Sequence, residues 1–181
     1  MLLGAALASG CSVGHGSGEL DGTVSIEGCR AEGPYRLRPT AFFADATERF
    51  LSLRIQRGSD QVVRSDGLML LVEDAAELKR RFLGQVIEVG RAAAPAIDIS
   101  LYLNESCPAE RDKTPVALSA VSGTIVFSSI YAPRVSKSEV RIAAQLTDVL
   151  FVDPRNDKRW ARLNGVFDFL YTRGSPAQLF P

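Results

Sequence analysis

Histidine is almost missing from this chain of 181 residues: one imidazole, His15, sits between Gly14 and Gly16. With that single histidine in the glycine-rich stretch expected as a tether, the folded domain is not expected to assemble a Ser-His-Asp or Cys-His nucleophilic site, nor a histidine-ligated zinc centre. Also missing are a G-x-S-x-G elbow, a glycine-rich phosphate loop opening a helix, an H-E-x-x-H pair and a C-x-x-C spacing. Charge of one sign is not accumulated anywhere, since 21 basic residues balance 21 acidic ones and no block of like charges occurs. Without a basic stripe to meet a phosphate backbone, nucleic-acid binding is not expected. No apolar run approaches the roughly eighteen residues that would read as a transmembrane helix.

What the chain does have begins at its N-terminus. Leu2, Leu3, Gly4, Ala5, Ala6, Leu7 and Ala8 form a short apolar run that leads through Ser9 and Gly10 to Cys11 and then into a glycine-rich stretch. This pattern resembles the lipobox of bacterial lipoproteins, in which the signal peptide is cut before a cysteine that becomes lipid-modified. The position three before the cysteine is Ala8, with the larger Leu7 one place further out. The resemblance implies a signal peptide over residues 1–10 and a lipid on Cys11. Each buried methylene of such a lipid contributes about 0.8 kcal/mol, and more than one chain makes the attachment stable. Residues 12–18 have the composition of a flexible tether, so the expected organisation is an anchored tether over 11–18 and a single domain over 19–181. In the best-known sorting rule for such proteins an aspartate after the cysteine retains the protein in the inner membrane. Ser12 and Val13 stand there, which by the same resemblance implies the outer membrane.

Setting Cys11 aside for the lipid leaves Cys29 and Cys107, an even pair in what would be an oxidising compartment. A bridge between them closes a loop of roughly eighty residues, for which chain entropy gives about 4 kcal/mol. Two unpaired, buried thiols are the other reading. Both cysteines flank strand-like segments at turn-rich ends.

Beyond the leader the dominant period is two, the mark of strands. Residues 22–26 and 51–57 alternate apolar with polar, and residues 35–44 continue in extended style from the alternation of Tyr35 to Arg38, with Pro39 favouring an edge or bend. Residues 61–64 and 68–72 follow as further strands, separated by the turn signal Ser65-Asp66-Gly67. Residues 97–103 have an aliphatic side chain at every odd position. Residues 123–130, 139–153 and 160–173 are longer, and the turn chemistry at 153–157 makes the last two a hairpin. Gly165 marks a bulge or a close approach. Only residues 74–83 read as helix, with Asp74 as N-cap and Gly84 as the stop. The expected fold is all-β: a two-sheet antiparallel β-sandwich of about nine strands with one short helix. A closed β-barrel is the runner-up.

Candidate chemistry is sparse. Asp148, Asp153 and Asp168 are the carboxylates from which a two-acid hydrolase could be built. Asp153, Asn156 and Asp157 offer oxygen ligands to calcium, though Arg155 and Lys158 oppose it, and a plain hairpin turn is the simpler reading. Trp160, Phe167, Phe169 and Tyr171 have strand spacing and are expected in the core. Trp160 with Arg159 and Arg162 is the candidate surface contact. No cofactor, metal or enzymatic activity is expected. The expected role is a lipid-anchored binding or structural module of the bacterial envelope, with an envelope protein as partner. A carrier of a small hydrophobic ligand between the sheets is the alternative, and a carboxylate-dependent hydrolase the third.

Overall fold

The computed structural model describes residues 12–47, 50–90, 95–133, 135–136 and 141–171. In chain order the strands are β1 (Ser12–Ser25), β2 (Gly33–Leu37), β3 (Ala41–Ala46), β4 (Leu51–Gln56), β5 (Asp66–Val72), β6 (Ile87–Glu88), β7 (Ile97–Leu103), β8 (Ala117–Ser129), β9 (Arg141–Asp153) and β10 (Asn156–Tyr171). Helix α1 (Ala75–Glu77) runs directly into a π turn (Leu78–Phe82), and α2 (Pro108–Arg111) is a single turn. Residues 61–64, expected as a strand, instead form a 3-10 turn over Val62–Arg64 that leads into β5. Asp74 caps α1 as expected, accepting from the Glu77 N–H at 2.8 Å.

Every pairing is antiparallel. The chain meanders from β3 through β4, β5, β7, β8 and β9 to β10. β1 then lies between β10 and β3 and closes the ring. The expected two-sheet sandwich is therefore not formed: eight strands make a closed barrel, and β2 and β6 lie outside it. A sandwich leaves its sheets open at their edges, whereas here β1 pairs with β10 continuously from Gly14 opposite Tyr171 to Ser25 opposite Trp160. Residues 12–18, expected as a tether, are the first half of the closing strand.

The barrel is strongly sheared. Stepping across paired residues from Val13 through Phe43, Arg54, Met69, Ser100, Ser119, Val152 and Trp160 brings the path back to β1 at Ser25, nearly the full length of the strand further on. Strands in such a barrel tilt steeply to its axis. Long β1 and β8 therefore overhang their short neighbours β3 and β7 at opposite ends. β2 pairs with the overhang of β1, and β6 with that of β8. Pro39 lies at the break between β2 and β3, as a residue without an N–H should.

The inner face is apolar and filled. Leu51, Leu53 and Ile55 of β4 alternate with half-buried polar residues, Leu68, Leu70 and Val72 of β5 lie beside them, and Phe42, Phe127, Phe151 and Phe169 are fully buried. Phe42 and Phe169 stack with ring centroids 5.1 Å apart. Full burial of such a side chain contributes about 1.5–3 kcal/mol. Phe167 and Phe169 are in the core, as expected, while Trp160 is half-buried on the outer face; the Tyr171 side chain lies outside the described residues. The outer face carries ion pairs such as Arg36 with Glu19, Arg141 with Asp168 and Arg162 with Asp148. Apolar inside and charged outside is the reverse of a membrane-spanning barrel.

The interior-facing positions of β1 are small for a reason. Gly14, Gly16, Gly18 and Gly22 share one face of the strand, and Gly16 and Gly18 stand opposite Phe169 and Phe167. A Cβ on Gly14 would come within 2.7 Å of the Phe169 ring, and one on Gly16 would overlap the Asp168 carbonyl and the Phe169 Cβ. The rings of β10 occupy the volume that β1 leaves empty. At Gly165 the roles reverse, and the Leu20 side chain fills the space. The adjacent register shift of the β9–β10 pairing has its extra residue in β9, between Leu146 and Val149, so the close approach expected of Gly165 is met and the bulge lies on the partner strand.

One end of the barrel is covered by α1 and the π turn, with Ala75, Ala76 and Leu78 buried. β1 starts at this helical end. At the other end the turn before β2 packs against the turn after β7, and Cys29 and Cys107 stand in disulfide-bonding position, their Cα atoms 4.6 Å apart.

Replacing Gly16 by alanine is expected to cost about 1–3 kcal/mol, read as a lower urea midpoint. Gly18→Ala, whose new Cβ would meet its nearest atom at 3.1 Å, is expected to lose clearly less. Small, equal losses in both variants would mean that β1 and β10 do not approach this closely.

Candidate functional site

The buried polar groups gather at the disulfide end, where loops must be held without the help of a sheet. Asp66 begins β5 and is fully buried. Its Oδ1 accepts from the Glu105 and Ser106 N–H groups, each at 3.0 Å, and its Oδ2 accepts from the Ser106 hydroxyl. Asn104 accepts from the Val116 N–H at 2.7 Å and donates to the Val62 carbonyl at 2.9 Å. Gln56 donates to the Gly58 and Asp60 carbonyls at 2.9 and 2.7 Å, and the Tyr102 hydroxyl donates to its Oε1 at 3.0 Å. Gly67 makes room for that hydroxyl, which a Cβ there would meet at 2.6 Å.

Two tyrosines in this region titrate late. Burial raises the pKa of Tyr102, and burial together with the nearby Asp66 charge raises that of Tyr35. Unlike Tyr102, the Tyr35 hydroxyl makes no hydrogen bond of acceptable geometry among the described residues. The Gln56, Asp66 and Asn104 side chains act as a loop clamp, spent on backbone groups and on the Tyr102 and Ser106 hydroxyls.

The residues singled out by sequence separate into three groups. Cys29 and Cys107 are brought together. Arg159 donates to Glu110 at 2.6 Å and lies 3.9 Å from Asp153, while Arg162 pairs with Asp148 at 3.2 Å. The arginines beside Trp160 are thus directed to separate carboxylates, Glu110 lying on α2. Asp148, Asp153 and Asp168 each have an arginine partner. At the turn after β9, Asp153 accepts from the Arg155 N–H at 2.9 Å and Asn156 from the Lys158 N–H at 3.1 Å, the hydrogen bonding of a hairpin turn. Among the described residues no group of three or more His, Cys, Asp or Glu side chains is placed to hold a metal. His15 is exposed on β1 opposite Leu170, and Cys11 lies outside the described residues.

Sequence reasoning missed a concavity of the outer surface. A trough of about 520 Å³ crosses β8, β9, β10 and β1, lined by Ser17, Glu19, Ser128, Gln145, Val166 and Asp168 among others. The pairing of the long strands is irregular beside it. Register shifts interrupt β8 with β9 near Ser122 and β9 with β10 between Leu163 and Gly165, and such bulges add twist. The second has its extra residue in β9, where Asp148 has a φ of 51°, in the left-handed region that aspartate tolerates. The Asn164 side chain accepts from the Asp148 N–H at 2.9 Å, and Arg162 holds both Asp148 carboxylate oxygens at 3.2 Å.

The charges at the rim of this trough are neutralised in place. Hydrogen bonding to Arg36, with Arg38 beside it, holds the Glu19 carboxyl below its ordinary pKa, and Arg141 does the same to Asp168. Both acids are ionised at neutral pH. The trough therefore offers hydroxyl and amide groups beside the half-exposed Val166, and no free charge from these pairs. Only the outward alternation of Ser17, Glu19, Gln145 and Val166 hinted at it, and four strands distant in sequence had to be registered before those residues met. Comparison with protein-family models, curated proteins and solved structures finds no match to this chain.

Tyr102→Phe strands the buried Gln56 acceptor and is expected to cost about 1–3 kcal/mol, whereas Tyr35→Phe removes a hydroxyl with no partner and costs little at neutral pH. A raised pKa in the folded state leaves stability whole below the ordinary tyrosine value, about 10, and removes it as pH rises beyond. Tyr35→Phe is accordingly expected to lose less stability than the parent between neutral and strongly alkaline pH in urea titrations. A parent-like alkaline loss would place the ionising group elsewhere.

Proposed function

We propose that this protein is a lipid-anchored module of the bacterial cell envelope, held at the outer membrane through Cys11 and acting through its outer surface on an envelope protein. The observation that carries the reading is the pairing of Cys29 with Cys107. It uses the two cysteines that an oxidising compartment would oxidise, and leaves Cys11, at the end of the apolar leader, for the lipid.

Two features of the barrel support a role in binding or structure. The lumen is occupied by Phe42, Phe127, Phe151 and Phe169, so the surface on offer is the outside, above all the trough over β8, β9, β10 and β1. Its mixture of hydroxyl, amide and single apolar groups suits a protein surface, where hydrogen bonds and small apolar contacts combine. Carriage of a hydrophobic ligand would need those phenyl rings to leave the lumen. A carboxylate hydrolase would need two acids across a cleft, and the three aspartates of interest are each engaged by an arginine.

Intact mass of the full chain from the membrane fraction of its host, with and without reduction and alkylation, tests this reading. A species beginning at Cys11 with added acyl mass and no thiol alkylated before reduction is expected. A chain that keeps Met1 and takes up three alkyl groups without reduction would overturn it.

A further inference from the structure

We infer that the helical end of the barrel is a membrane-contacting surface, seated directly on the lipid bilayer. The inference rests on the lipid-anchor reading and adds to it an orientation and a second set of contacts. Its first support is the place where the chain enters the fold. Ser12 is already registered opposite Ala44 of β3, and Cys11 precedes it by one peptide. Consecutive Cα atoms are about 3.8 Å apart, so under the lipid-anchor reading the attachment point is within one residue of the barrel wall and not at the end of a tether.

The second support is independent of Cys11. Four of the eight exposed large hydrophobic residues among those described share this end: Phe50 at 37 % exposure, Leu83 at 39 %, Val86 at 69 % and Leu170 at 54 %. Phe50 immediately precedes β4, whose first residue pairs with the last residue of β3. Leu83 and Val86 flank Gly84, whose N–H bonds the Phe127 carbonyl near the end of β8. Leu170 pairs with Arg141, the first residue of β9. The other four are scattered over the barrel wall and the opposite end.

Across this opening lie α1 and the π turn, with Leu78 turned inward, Arg80 exposed, and Arg81 exposed while donating to Glu77 at 3.0 Å. Arginines beside exposed aliphatic residues suit a bilayer interface, because their stems lie along apolar surface while their guanidinium groups stay at headgroup level. Ion pairs occur at both ends, Arg81 with Glu77 and Arg141 with Asp168 at this one and Arg159 and Lys113 with Glu110 and Arg155 with Asp153 at the other, so the orientation rests on the exposed apolar residues and on the place where the chain enters. The barrel thus stands on its helical end, with the disulfide end pointing away from the membrane.

Tryptophan emission measures this. Trp160, the single tryptophan, lies toward the disulfide end, paired with Ser25. The full chain purified from its host, as the parent and as V86W and L170W in a W160F background, is bound to phosphatidylcholine vesicles with brominated acyl chains. All forms are expected to float with the vesicles. The tryptophans of V86W and L170W are expected to lose most of their emission to bromine and shift to the blue, while Trp160 of the parent keeps its emission. Flotation with emission from V86W and L170W as strong as that of Trp160 overturns the orientation and leaves the anchor standing. Failure to float overturns both.

Discussion

The contact on which the rest of this structure depends is the packing of a glycine-lined strand against an aromatic one. β1 offers almost no side-chain volume to the interior along its first half, and β10 supplies it from Phe167 and Phe169. If β1 had carried ordinary apolar residues at positions 14, 16 and 18, the two backbones would have been pushed apart and the ring left open. An open β10 edge of this length would invite pairing with another chain. Closure removes that edge, buries the phenyl rings and brings the N-terminal strand back beside the C-terminal one.

Several other features follow from that closure. The offset of the ring leaves overhangs on β1 and β8, which β2 and β6 occupy. The turn leading into β2 carries Cys29, and it is brought over the disulfide end where Cys107 waits. The long strands carry register shifts around Ser122 and Asp148, which add twist beside the trough on the outer face. The chain enters β1 at Ser12, at the helical end. Interior, bridge and trough are thus consequences of one packing arrangement.

Much of the architecture was legible in the sequence because alternation is local. The strands at 51–57, 68–72, 97–103 and 139–153, the break at Pro39 and the cap at Asp74 follow from patterns within a few residues, and the structure contains them. The helix was legible as an element but not as geometry, since most of it is a π turn. Closure was not legible. A glycine at every second position of residues 14–18 has the period of a strand, but glycine adds no hydrophobic signal, and the segment was read as a tether. Its meaning lies in Phe167 and Phe169, about 150 residues away, and only register brings them opposite. Losing that one strand turns a barrel into a sandwich. The candidate site suffered in the same way: the cysteine pair could be reached by counting, whereas the trough needs four strands in register and the arginine partners of Asp148, Asp153 and Asp168 come from packing.

Amide hydrogen exchange of residues 12–18 tests the central claim most directly. Slow exchange of the β1 amides bonded to β10, on the timescale of β9 in the same barrel, is the expected result. Complete exchange within seconds while β9 stays protected would contradict it, and would return this segment to the role of a tether outside an open sheet.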